Sequence, residues 1–146
     1  MKLAIGCDHR GIELKKNIMV LLTELGHDVI DFGAFKEDAI DYPDIANPLA
    51  RGVARGEFKY GILVCATGIG MSIAANKVKG IRAALCCNAA SAELTRRHND
   101  ANILCLAAIN NTNENLTAVN TFLVTPFEGG RHLRRVEKIA EIEKTA

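Results

Sequence analysis

The stretch Cys65-Ala66-Thr67-Gly68-Ile69-Gly70-Met71-Ser72 has the residue types of a site rather than of a core. Gly68 and Gly70 let the backbone approach a ligand, and the amides of a helical turn starting there would form a cradle for an anion. The loop is none of the common phosphate loops. A dinucleotide fingerprint requires a third glycine where Ile73 stands, and a Walker loop requires Gly-Lys-Ser/Thr where the chain has Gly70-Met71-Ser72. A phosphatase loop has arginine six residues after its cysteine, and Met71 occupies that place. A plain strand-to-helix turn is the structural alternative. Cys65 closes an apolar run, where cysteine often serves as a small filler. Beside a helix N-terminus, however, a thiolate is favoured over a thiol. A thiolate there can take a proton from carbon while the loop amides and the Thr67 hydroxyl stabilise the resulting oxyanion.

Three further groups carry chemistry. His98 ends a helical stretch in Arg97-His98-Asn99-Asp100. A histidine there is commonly an exposed cap, but a group titrating near neutrality can also open a sugar ring by moving a proton to or from its oxygen. Asp8 and His9 follow the first apolar run and face the same crevice as the Cys65 loop, with Asp8 placed to hold hydroxyls. Arg131 and Arg135 are four apart, so a helix starting there sets two guanidiniums on one face, which suits a phosphate as well as a solvated basic turn. No His, Asp or Glu spacing matches a metal site, so neither a metal nor an organic cofactor is expected.

The elements that must position these residues follow from the apolar pattern. Runs at Leu3–Cys7, Val29–Phe32, Gly61–Val64, Ile81–Leu85 and Ile103–Ala107 have strand length. Amphipathic stretches separate them. The first carries Leu14, Ile18, Leu21, Leu22 and Leu25 and is closed by Gly26, the second begins near Pro43, and Asn88 or Ser91 opens the next. Strands alternating with helices predict an α/β, doubly wound (Rossmann-like), five-stranded parallel sheet with helices on both faces, in the common order 2-1-3-4-5. In that order the chain reverses between strands 1 and 3, which places Asp8-His9 and the Cys65 loop together at the carboxyl edge. Residues 1–146 read as one domain without linker or repeat. A formal net charge of +1 excludes a broad basic face for nucleic acid, and no apolar run is long enough for a membrane. Five cysteines, an odd number without CxxC pairing, fit reduced thiols in a cytoplasmic protein.

With these motifs in hand, the chain resembles the ribose-5-phosphate isomerase B family, whose wider group includes allose-6-phosphate and galactose-6-phosphate isomerases. The resemblance rests on Gly6-Cys7-Asp8-His9, Asp41-Tyr42-Pro43, Cys65 through Lys77 with Gly80-Ile81-Arg82-Ala83-Ala84, Arg97-His98-Asn99-Asp100 and Glu128-Gly129-Gly130-Arg131-His132, in order over nearly the whole chain. It implies a metal-independent aldose–ketose isomerase interconverting D-ribose 5-phosphate and D-ribulose 5-phosphate through an enediolate. Cys65 would be the proton-shuttling base and His98 the ring opener. Asp8, His9, Asn99, Ala66, Gly68, Ile69 and Gly70 would line the sugar site, and Arg131 and Arg135 would hold the phosphate. It also implies a homodimer, or a dimer of dimers, with the site at the subunit interface. Cys65 favours the ribose branch, because the galactose branch tends to lack that cysteine. Two positions depart from the pattern: Ala66 replaces a usual glycine, and Ile109 stands where many members carry an arginine that contacts phosphate. A six-carbon aldose 6-phosphate isomerase and a non-catalytic phosphosugar sensor are the alternative readings.

Overall fold

The computed structural model describes residues 1–36 and 39–145. Five strands, β1 (Lys2–Cys7), β2 (Asp28–Asp31), β3 (Tyr60–Cys65), β4 (Ala83–Leu85) and β5 (Ile103–Ala107), alternate with α1 (Ile12–Glu24), α2 (Tyr42–Ala54), α3 (Ile69–Ala75) and α4 (Ala89–Asn99). Two helices, α5 (Thr112–Val124) and α6 (Arg131–Thr145), complete the chain. Every strand pairing is parallel.

Helix boundaries sit where local chemistry puts them. Gly26, at φ +81°, ends α1 in a Schellman arrangement: its amide donates to Thr23 O and that of His27 to Leu22 O, both at 3.0 Å. Asn88 caps α4 by accepting from Ser91 N at 2.9 Å, while the Ser91 hydroxyl faces the Asn88 amide at 3.4 Å. The two candidate start residues are thus partners in one capping box.

The strand order is β2-β1-β3-β5-β4, not the expected 2-1-3-4-5. Burial explains the exchange. All five residues of β5 are buried, whereas β4 is three residues long and ends on exposed Leu85. An interior parallel strand needs apolar side chains on both faces, so β5 takes the interior and the short β4 the edge. The consequence for the site is direct. The chain leaving β5 lies beside the Cys65 loop, with Ala108 N donating to Cys65 O at 2.9 Å and Ile109 N to Ala66 O at 3.1 Å.

The two-residue period of the strands divides the core into two layers. Ile5, Cys7, Ile62, Val64, Leu104 and Leu106 face the layer built with α1 and α5. Leu63, Cys65, Ile103 and Cys105 face the other, built with α2 and α3. Strand parity therefore sends the terminal cysteines of β1 and β3 to opposite sides of the sheet. Helix α6 stands apart from both layers: His132 is its one buried residue, and Leu133, Ile139 and Ile142 are exposed.

Candidate active site

Cys65 ends β3 facing α3, and its Sγ accepts the amide N–H of Gly68 at 3.1 Å. That bond requires the loop to turn back sharply. Gly68 does so at φ +74°, and a Cβ there would lie 2.5 Å from Leu85 Cδ1 and 3.0 Å from the Leu106 carbonyl. The next amide, Ile69 N, donates to Thr67 Oγ1 at 3.3 Å. Two amides of the expected anion cradle are therefore already engaged, and α3 is only seven residues long, so its dipole is small. Gly70 packs against the Tyr42 ring, where a Cβ would come within 2.7 Å of the ring carbon bearing the hydroxyl. Asp8 is buried one strand away, its amide bound to Val64 O at 3.2 Å and its Oδ1 accepting from Arg10 N at 2.9 Å. His9 Nδ1 accepts from Ile40 N at 3.3 Å. Asp8, His9, Cys65, Ala66, Thr67, Gly68, Ile69 and Gly70 thus share the carboxyl edge of the sheet, with Tyr42 added to them.

Among the cysteines, geometry singles out Cys65. Burial pushes Cys7 up to about 11 and raises Cys86 and Cys105 above the usual thiol range, so all three remain neutral thiols. Cys87 is exposed and lies beyond the end of β4.

His98, Asn99, Arg131 and Arg135 form a second group at the opposite edge. Because the sheet is parallel, α4 returns from the carboxyl edge to the amino edge, and its C-terminus is anchored there. Arg82 Nε donates to Asn99 O at 3.0 Å, and Gly61 N, at the start of β3, donates to Asn102 O at 3.0 Å. Gly61 and Cys65 are four positions apart along β3, roughly 13 Å at the rise of a strand. One copy of the chain therefore does not bring His98 to Cys65. Asp100, which follows Asn99, is the structural cap of α4. It is left-handed at φ +46° and pairs with buried Arg96 at 2.8 Å.

Around His98 the structure assembles what the sequence reading passed over. The His98 and His132 rings stack at 4.2 Å between centroids, 12° from parallel. Glu128 faces both, with Oε2 4.0 Å from His98 Nε2 and Oε1 3.8 Å from His132 Nε2. Arg97 reaches the same carboxylate at 3.1 Å, and Arg131 begins α6 beside them. Glu128 and His132 are four residues apart, a spacing visible in the sequence, but His98 joins them only in the fold. These three groups have ligand atoms within 4.8 Å of one another, a possible cation site that no sequence spacing announced. The two rings, however, lie face to face, and Arg97 already pairs with one oxygen of the carboxylate. The arrangement suits proton sharing better than chelation.

Comparison with known proteins agrees with the motifs. Residues 3–139 match the family described as Ribose/Galactose Isomerase. Ribose-5-phosphate isomerase B of Escherichia coli K12 is 46% identical over 144 residues, covering 98% of this chain and 97% of its own. A Clostridium thermocellum ribose-5-phosphate isomerase B structure superposes with a TM-score of 0.97 at 49% identity, covering 99% of both chains. The Mycoplasma genitalium enzyme, solved with bound ribulose-5-phosphate, does so at 0.95 and 42% identity, covering 99% of this chain and 97% of that one. A match across nearly the whole length, in sequence and in fold, means that the chain belongs to the ribose/galactose isomerase family.

Proposed function

We propose that the protein interconverts D-ribose 5-phosphate and D-ribulose 5-phosphate, with Cys65 as the base. The observation that carries this reading is the Gly68 amide on Cys65 Sγ at the carboxyl end of an interior strand. The thiolate takes the proton from C2 of the open aldose, a C1–C2 double bond forms, and charge develops on O1. Thr67 and the uncommitted loop amides stabilise that oxyanion. The Cys65 thiol, whose proton can exchange with solvent during the life of the enediolate, then gives a proton to C1 while the O2 hydroxyl proton passes to O1, leaving the C2 ketone. Asp8 and His9 hold sugar hydroxyls, and Arg131 and Arg135 hold the phosphate.

The working site is completed by a second copy of the chain, whose His98, Asn99, Arg131 and Arg135 meet the Cys65 loop of the first. Two features support this. The residues needed together lie at opposite edges of one sheet. The Cys65 loop is also ringed by exposed Ile69, Ile73, Leu85 and Ile109, an apolar surface suited to a partner. No helix among the described residues is long and apolar enough to cross a membrane, and five free thiols fit a reducing cytoplasm.

The test is turnover of ribose 5-phosphate and allose 6-phosphate side by side, with chelator present. Preference for the pentose phosphate is expected. Preference for the hexose phosphate would support the second reading, a six-carbon aldose 6-phosphate isomerase. In the Cys65→Ala variant, turnover should fall about a thousandfold or more while sugar phosphate binding persists. Turnover unchanged in that variant would remove Cys65 from the mechanism.

A further inference from the structure

We propose that Glu128 is a positioning residue that aims the His98 imidazole and serves as its counter-ion during ring opening, with His132 as the flat support behind it. The inference rests on the reading of His98 as the ring-opening group.

Glu128 is itself held in place. Its amide donates to Arg97 O at 3.1 Å, and its Oε2 accepts from Arg97 Nε at 3.2 Å. The fixed carboxylate presents one oxygen to each imidazole. His98 has two constraints on its orientation: the stacked face of His132 and the carboxylate at its Nε2 edge. His132 is buried, its Nε2 has no hydrogen-bond partner among the described residues, and burial together with His98 and Arg131 pushes it toward the neutral form. With His132 neutral, the carboxylate is shared by Arg97 and His98. Arg97, Arg131 and Arg135 are cations, and the neighbouring carboxylates Glu93 and Asp100 are paired with Arg97 and Arg96, so Glu128 is the carboxylate that faces an imidazolium at His98.

The step needs such a partner. Opening the furanose breaks the C1–O4 bond and forms the C1=O1 carbonyl. One imidazole nitrogen takes the O1 hydroxyl proton and gives it to O4, which receives the bond's electron pair. Atoms and charge balance without a co-reactant, and the imidazolium exists only between the two transfers. At 4.0 Å the His98–Glu128 separation is longer than a hydrogen bond and shortens when the imidazolium forms. The carboxylate thereby acts mainly on the charged state rather than on the resting enzyme.

Ribulose 5-phosphate allows a clean test, because its O5 is esterified and no free hydroxyl is placed to close a stable ring. Exchange of its C1 proton with D2O therefore requires Cys65 but no ring chemistry. In Glu128→Gln, kcat on ribose 5-phosphate should fall about ten- to a hundredfold with KM changed less than about threefold. Deuterium exchange into ribulose 5-phosphate should stay at the wild-type rate, and Glu128→Asp should restore part of the lost turnover. Wild-type turnover in Glu128→Gln overturns the inference, as does a parallel loss of exchange, which would make Glu128 a brace for the whole site. Full turnover in His98→Ala overturns instead the reading on which it rests.

Discussion

At the scale of single residues, the site depends on positions where only one side chain fits. Gly68 is the clearest. Replacing it with alanine imposes about 1–2 kcal/mol from the left-handed backbone alone, before the clash with Leu85 and Leu106. Gly68→Ala is expected to lower the melting temperature and to remove most turnover, since the amide would no longer sit on Cys65 Sγ; calorimetry and the isomerase assay read the two effects. Cys7 gives a prediction in pH. The fold holds its thiol neutral up to about 11 against an ordinary value of 9.0. Below pH 9 both folded and unfolded chains carry the neutral thiol and stability is full. Above it the unfolded chain ionises first, so stability is lost between about pH 9 and 11, by at most ~3 kcal/mol. Urea melts at pH 8.5 and 10.5 should show a smaller decline in Cys7→Ala than in the wild type. These residue-scale features were legible in part: the Cys65 loop was readable from its glycines, whereas the opposite facing of Cys7 and Cys65 depends on the register between β1 and β3. Glu128 and Tyr42 were not, because their significance lies in contacts with residues about 30 positions away.

At the scale of elements, the end of α4 is what presents His98, and a buried cation holds that end. Arg96 donates to Asp100 Oδ1 at 2.8 Å and to Ala101 O at 2.6 Å, and its guanidinium lies 4.8 Å from the Tyr60 ring centroid. Asp100 is partly exposed, so the ion pair itself contributes only about 1 kcal/mol or less, and most of the cost of removing Arg96 falls on its buried hydrogen bond to Ala101 O and its aromatic contacts. Arg96→Ala should therefore be strongly destabilised in urea. At temperatures where it remains folded, turnover on ribose 5-phosphate should drop more than deuterium exchange into ribulose 5-phosphate, because the damage falls on the His98 edge. Arg96→Lys should recover little, lacking the planar fork that reaches several acceptors.

At the scale of the whole molecule, the sheet separates the two halves of the chemistry. A site assembled from two copies makes a sharp prediction. Cys65→Ala and His98→Ala are each inactive alone, but a mixed dimer carries one site with both residues intact and one with neither. Random exchange of subunits makes half the dimers mixed, so about a quarter of wild-type activity should return after co-refolding the two variants. No recovery, with mixed dimers demonstrated by mass spectrometry, would place both residues in one copy's site.

The chain alone determined whatever depends on near neighbours in sequence: the five strands and their helices, the caps at Gly26 and Asn88, the loop that turns on Gly68 and the paired arginines opening α6. Each is set by side-chain chemistry within a few residues. The position of His98 at the amino edge was within reach as well, since a crossover helix in a parallel sheet must return to the edge where the next strand begins. Tertiary structure decided what requires comparison between distant segments. Whether β4 or β5 sits inside is a competition over buried area, settled by a short strand with an exposed end against one buried throughout. The meeting of His98, Glu128 and His132 depends on α6 docking against the end of α4. No local pattern encodes that contact, because its partners are brought together by packing and not by spacing along the chain.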